Sequence, residues 1–174
     1  MGYIAMGPAG CTVGDFQLSG FAYTASASGG AREIATDQIG VTPVLAVPGN
    51  VGVLFKAPWG VLAGQSQGSN ITYQVTSLSG TVQVQQVGLG GFGFRAGMSS
   101  SVTVVEDLAA AAGTYSIDVY LTCTDSCTSQ TSSDVLIPAT SSLVVEDMVT
   151  LQSGQGGATM NRFIDWFVVC PACA

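Results

Sequence analysis

Between residues 70 and 87 apolar and polar side chains alternate one for one. Ile71, Tyr73 and Val75 are interleaved with Thr72, Gln74 and Thr76, and Val82 and Val84 with Thr81, Gln83 and Gln85. A period of two puts every second side chain on one face, the pattern of a half-buried strand. Ser79 and Gly80 between the runs predict a tight turn, so the stretch is expected to be an antiparallel hairpin. The same pattern returns where Tyr115, Ile117, Val119 and Leu121 alternate with Ser116, Asp118, Tyr120 and Thr122. Further strands are expected over 15–18, 21–27, 39–47, 51–55 and 102–107. Pro43 suits an edge strand, because proline cannot donate to a ladder. Residues 108–112 give one helical turn, and 123–134 read as a polar loop.

Two stretches depart from simple alternation. Gly88, Gly90, Gly91, Gly93 and Gly97 surround Phe92 and Phe94. Such dense glycine predicts a bulge or a close approach of another segment. A phosphate loop would need a following Lys-Ser/Thr and a helix, and neither is present. Near the end, Phe163, Asp165, Phe167 and Val169 share one face and Ile164, Trp166 and Val168 the other. Both faces are apolar apart from Asp165. Such a strand is either central in the core or covered by something else, and another subunit is one such cover. Phe163, Ile164, Trp166, Phe167, Val168 and Val169 are therefore assembly candidates, with 163–174 an inter-subunit strand and tail joined by strand addition.

The alternation and the chain length of 174 residues fit a single domain with a sizeable core, 1–174. The expected fold is all-β, an antiparallel β-sandwich of jelly-roll-like topology. Only 9% of residues are charged while 47% are hydrophobic, so Ser, Thr, Gln, Asn and Gly must cover the surface. Four scattered basic residues (Arg32, Lys56, Arg95 and Arg162) and a net charge of -7 argue against nucleic acid and against anionic membranes. No apolar run reaches the roughly 18 residues of a membrane helix. With no histidine, a Ser-His-Asp triad and a Cys-His dyad are impossible within the chain. No enzyme activity is expected, and no catalytic, cofactor or metal site is assigned.

Val104-Val105-Glu106-Asp107-Leu108 recurs as Val144-Val145-Glu146-Asp147-Met148. The two copies are expected at equivalent strand ends with their acids in water. Calcium is the alternative, since carboxylate oxygens are its ligands, but no loop spacing here matches a calcium motif. Of the five cysteines, Cys123 and Cys127 are close enough to close a small loop, and Cys170 and Cys173 form a second pair. Disulfides fit an extracellular composition, with a four-thiolate zinc site from the two pairs as the alternative. The odd thiol, Cys11, is the candidate for a free or intermolecular cysteine.

Read together, these motifs resemble a family of secreted bacterial PEP-CTERM proteins, well represented in acidobacteria. The resemblance rests on Tyr3 to Gly7, Gly10 to Asp15, Ser19 to Tyr23, Ala57-Pro58-Trp59, Ala63 to Ser66 and Ile71 to Thr76. It continues through Ser141 to Asp147, Leu151, Gly156 to Thr159 and Phe163. It implies an exported protein of the envelope or extracellular matrix, its signal peptide removed. The family's Pro-Glu-Pro signature, membrane helix and basic tail are missing, and Cys170-Pro171-Ala172-Cys173-Ala174 stands in their place. That departure points to a released protein, or to one held by copies of itself.

The leading expectation is an extracellular structural subunit that self-assembles into a filament or matrix. The alternative is a carbohydrate-binding or adhesive module with Trp59, Tyr73 or Tyr120 as stacking surfaces for an extracellular glycan. For Trp59 the competing reading is a plug over one end of the core. A carboxylate hydrolase would need two acids facing one cleft.

Overall fold

The computed structural model describes residues 10–45 and 50–171. The strands are β1 (Cys11–Val13), β2 (Phe16–Ser28), β3 (Gly40–Leu45), β4 (Asn50–Val61), β5 (Ser66–Ser77), β6 (Val82–Phe92), β7 (Arg95–Ala96), β8 (Ser100–Ala110), β9 (Gly113–Cys123), β10 (Cys127–Gln130), β11 (Ser132–Thr140), β12 (Ser142–Ser153) and β13 (Ala158–Pro171). A single turn of 3-10 helix, Thr36–Gln38, is the only helical segment among the described residues. The first sheet runs β1-β2-β5-β12-β8-β9-β10 and the second β11-β6-β13-β4-β3, with β7 paired to β13. All recorded pairings are antiparallel.

The two sheets pack as a sandwich, and the connections make it a jelly roll. β4, β5, β6 and β8 alternate between the sheets; β12 then enters between β5 and β8, and β13 between β4 and β6. The last two long strands thus occupy the centres of both sheets. Side chains that alternate inward fill the space between them: Ile71, Tyr73, Val102, Val104, Val145 and Val149 from the first sheet, Phe55, Leu89, Phe163 and Phe167 from the second. Each such side chain contributes about 1.5–3 kcal/mol by leaving water.

This topology corrects the expected hairpin. β5 and β6 are both strands, as the alternation predicts, but they lie in different sheets. β5 pairs with β2 and β12, β6 with β11 and β13, and the turn at Gly80 carries the chain across the sandwich. Period-two alternation shows that a strand has one wet face; it does not name the strand beside it. Two further expectations fail. The helical turn at 108–112 is strand to Ala110 and a two-residue turn, and the 123–134 loop contains β10 and the start of β11. Pro43 does lie on an edge strand, in β3.

β13 is central rather than offered to a partner. Its two edges are taken by β4 and β6 of the same chain, so it has no free edge for strand addition. Phe163 and Phe167 are buried in the core, whereas Ile164, Trp166, Val168 and Val169 are half-buried. The two-sided apolar pattern therefore has two causes: the core on one side and an open apolar sheet face on the other.

Cys123 and Cys127 form a disulfide across the β9–β10 turn. Cys11 is a half-buried thiol whose pKa burial raises, which lowers its reactive thiolate fraction. The Cys170 Sγ lies 3.7 Å from the Gln83 carbonyl oxygen. Cys173 and the opening Tyr3 to Gly7 motif lie outside the described residues.

Candidate functional site

The outer face of the second sheet carries an aromatic platform. Register fixes its members. Trp166 of β13 lies between Gly52 of β4 and Gly88 of β6, and Ile164 between Leu54 and Gly90. One step further, Arg162 lies between Lys56 and Phe92. Gly88 in turn opposes Asp134 of β11, and Gln86 opposes Leu136.

The glycines let the indole lie down. A Cβ on Gly88 would sit 2.1 Å from Cε2 and 2.2 Å from Nε1 of Trp166, and one on Gly90 would sit 3.0 Å from its Cζ3. Both glycines are on the outward side of the sheet and yet are buried, because the ring covers them. Trp166 itself is only half-buried. One face of the indole rests on β6, and the residue keeps partial exposure.

Polar and apolar groups frame the ring. Gln86 Nε2 donates to Asp134 Oδ2 at 2.7 Å. The Arg162 guanidinium stacks 5.1 Å from the Phe92 ring centroid, a cation–π contact on the same face. Phe92 is 43% exposed and Leu136 73%. The result is an apolar patch with a rim of amide, carboxylate and guanidinium groups, the kind of exposed feature that marks a binding surface.

The stacking residues expected from sequence are elsewhere. Trp59 is buried, its Nε1 donating to Ser69 Oγ at 3.1 Å, so it is the core plug and not a platform. Tyr73 is buried between the sheets, stacked on Phe21 with 5.2 Å between ring centroids. Tyr120 is half-buried on β9, in the other sheet. The signal for Trp166 was present: an aromatic on the second face of a doubly apolar strand, and a glycine-rich strand elsewhere in the chain waiting for a close neighbour.

The acids of the repeated Val-Val-Glu-Asp motif also differ from expectation. β8 and β12 are antiparallel neighbours, so the motif is read in opposite directions and Glu106 faces Asp147 while Asp107 faces Glu146. The first pair points into the core and both its residues are fully buried, mid-strand. The second pair is on the outer face, where Asn70 Nδ2 donates to Glu146 Oε1 at 2.6 Å. Asp165 of β13 comes from the opposite sheet to complete a buried trio with Glu106 and Asp147. Tyr73 donates its hydroxyl to Asp165 Oδ2 at 2.5 Å. The trio has no opening to solvent, so it cannot act on an external substrate as a hydrolase pair would.

Burial raises the pKa of all three acids, and their mutual repulsion adds to the effect for Glu106 and Asp147. Asp165 is pushed to about 7, with the Tyr73 hydrogen bond opposing the shift. The consequence for stability has a definite sign. Between the ordinary carboxylate pKa of about 4 and its raised folded value, the folded state binds more protons than the unfolded state. In a chelating buffer the thermal midpoint is therefore expected to fall as pH rises from 5 to 8. A midpoint that rises over that window would show that the buried acids are not the controlling groups.

No protein-family profile and no curated protein sequence matches the chain. Several solved structures are distantly similar. The enzymatically active domain of tailspike protein 4 of bacteriophage CBA120 is 14% identical, with a TM-score of 0.37 over 84% of this chain and 19% of that one. TmCBM61, solved in complex with β-1,4-galactotriose, is 12% identical, with a TM-score of 0.37 over 86% of this chain and 88% of that one. A family 11 carbohydrate-binding module from Clostridium thermocellum, in complex with a β-1,3-1,4-mixed-linked tetrasaccharide, is 8% identical, with a TM-score of 0.26 over 84% of this chain and 88% of that one.

Proposed function

We propose that the protein is a carbohydrate-binding or adhesive module and that the outer face of its second sheet is the glycan site. The observation that carries this reading is the Trp166 indole, laid against Gly88 and Gly90 on the outer sheet face and partly exposed. A pyranose ring has an apolar C–H face matched in size to an indole, and hydroxyls around its edge. Trp166 would take the first by stacking. Gln86, Asp134, Arg162 and Lys56 stand around the platform to take the second by hydrogen bonds. The strands of the second sheet hold these groups rigidly, so little ordering entropy is spent on binding.

Binding to a panel of immobilised polysaccharides is the test. Trp166→Ala should lose at least about 30-fold in affinity, the scale of a central aromatic anchor, while unfolding as cooperatively as the wild type. Unchanged binding by Trp166→Ala would reject this face. Absence of binding to any glycan would reject the class.

A second reading, self-assembly, is favoured by the same face. Phe92 at 43% exposure and Leu136 at 73% extend the patch beyond the indole. A second copy of the chain would cover them. Sedimentation velocity separates the readings: assembly predicts species that dissociate in Leu136→Glu, and glycan binding predicts a monomer in both.

A further inference from the structure

We propose that the sandwich core holds one calcium ion, bound by the carboxylates of Glu106, Asp147 and Asp165. The inference is independent of the glycan reading. One ligand atom from each of the three lies within 4.8 Å of the others. Oxygens bound to calcium at 2.3–2.6 Å stand at most about 5 Å apart, so the cluster has the right span.

Charge makes the case for a ligand. Three carboxylates that are fully buried cannot stay unneutralised. The chain supplies no cation to them: it has no histidine, and Arg32, Lys56, Arg95 and Arg162 are all exposed. Hydrogen bonding answers only in part. Both oxygens of Glu106 are buried without a hydrogen-bond partner, and no amide, hydroxyl or cationic group of the described residues donates to Asp147 or to Oδ1 of Asp165, which can hydrogen-bond only to each other through a shared proton. Tyr73 donates to Oδ2 of Asp165 alone, which leaves Oδ1 facing the other carboxylates. The structure thus gathers five carboxylate oxygens, drawn from both sheets, that no described group outside the trio serves.

The donor set selects the ion. All donors are oxygen, the choice of hard cations, and no thiol or imidazole joins them. Magnesium sheds water reluctantly, and the surrounding core of Tyr73, Val104, Val145 and Phe163 leaves it little water to keep. Calcium accepts bidentate carboxylates and irregular geometry. Bridging β8 and β12 of one sheet to β13 of the other, it would pin the two sheets at their centres. The competitor for the same role is the proton: carboxyl groups sharing protons, Asp147 with Asp165, would neutralise the cluster without metal.

Because the site is closed, the ion must enter as the chain folds. The full chain is unfolded and refolded in excess calcium, in excess magnesium and in EDTA, then desalted. The calcium preparation should retain roughly one calcium per chain by elemental analysis. At a thousandfold excess over Kd its thermal midpoint should exceed that in EDTA by about 8–16 °C. Glu106→Gln/Asp147→Asn should retain no calcium, show no calcium-dependent shift, and be more stable than the wild type in EDTA. Wild-type chain that refolds without retaining calcium, with equal midpoints in calcium and EDTA, would overturn the proposal in favour of shared protons. Equal retention of magnesium would overturn the choice of ion. These readings use the wild type alone, so failure of the double variant to fold leaves the test intact.

Discussion

Phe163→Ala is expected to lower stability by about 3–5 kcal/mol and the thermal midpoint by about 6–20 °C. Phe163 is fully buried at the centre of β13, the middle strand of the second sheet. Its ring stacks on Phe55 with 4.8 Å between centroids and meets Trp59 at 5.7 Å. Truncation removes the transfer free energy of the ring and leaves a cavity. Two flanking strands hold the backbone, so the walls cannot collapse to fill it. Val144→Ala is the control: Val144 is 46% exposed on β12 and its truncation should stay within about 0.5 kcal/mol. Urea denaturation of the two variants checks both. Equal midpoints would mean that the sandwich core is not organised around β13.

Gly88→Ala should abolish glycan binding although it adds one methyl group and touches no polar residue. The new Cβ would be 2.1 Å from the indole, far inside contact distance, and the obstructing atom belongs to a ring. Trp166 must swing off the sheet. It then presents an edge instead of a face, and the loss of binding should match that of Trp166→Ala, at least about 30-fold. The stability cost of the displaced ring should be about 1–3 kcal/mol, small enough for a cooperative fold to survive. Polysaccharide binding and thermal unfolding of the same sample separate the two effects. Binding that survives in Gly88→Ala would show that the flat pose of the ring does not matter.

The strands were largely legible in the sequence and their partners were not. Ile71, Tyr73 and Val75 do point inward, and Thr72, Gln74 and Thr76 outward. Yet Ser79 and Gly80, read as a hairpin turn, carry the chain between sheets, because alternation is local and pairing is a property of the whole jelly roll. The helical turn expected over 108–112 fits Leu and Ala propensity, but strand pairing of residues 108–110 to 113–115 overrides it. Asp165 was visible as the one polar residue on an apolar face of β13. What could not be read was that Glu106 and Asp147 meet it across the core. That depends on β8 and β12 being antiparallel neighbours in a register that sets Glu106 opposite Asp147. Trp59 carried two readings, core plug and stacking platform, and packing decides for the plug.

The most direct test of the glycan reading uses the two tryptophans. Trp59 is 2% exposed and Trp166 half-buried on the open face, so they report on different places. The measurement is intrinsic fluorescence during titration with soluble oligosaccharides cut from a polysaccharide that the protein retains, on the wild type, Trp59→Phe and Trp166→Phe. The account predicts a saturable emission change in the wild type and in Trp59→Phe that is absent in Trp166→Phe. A saturable change that persists in Trp166→Phe, or a retained polysaccharide whose oligosaccharides leave Trp166 emission unmoved, would contradict it.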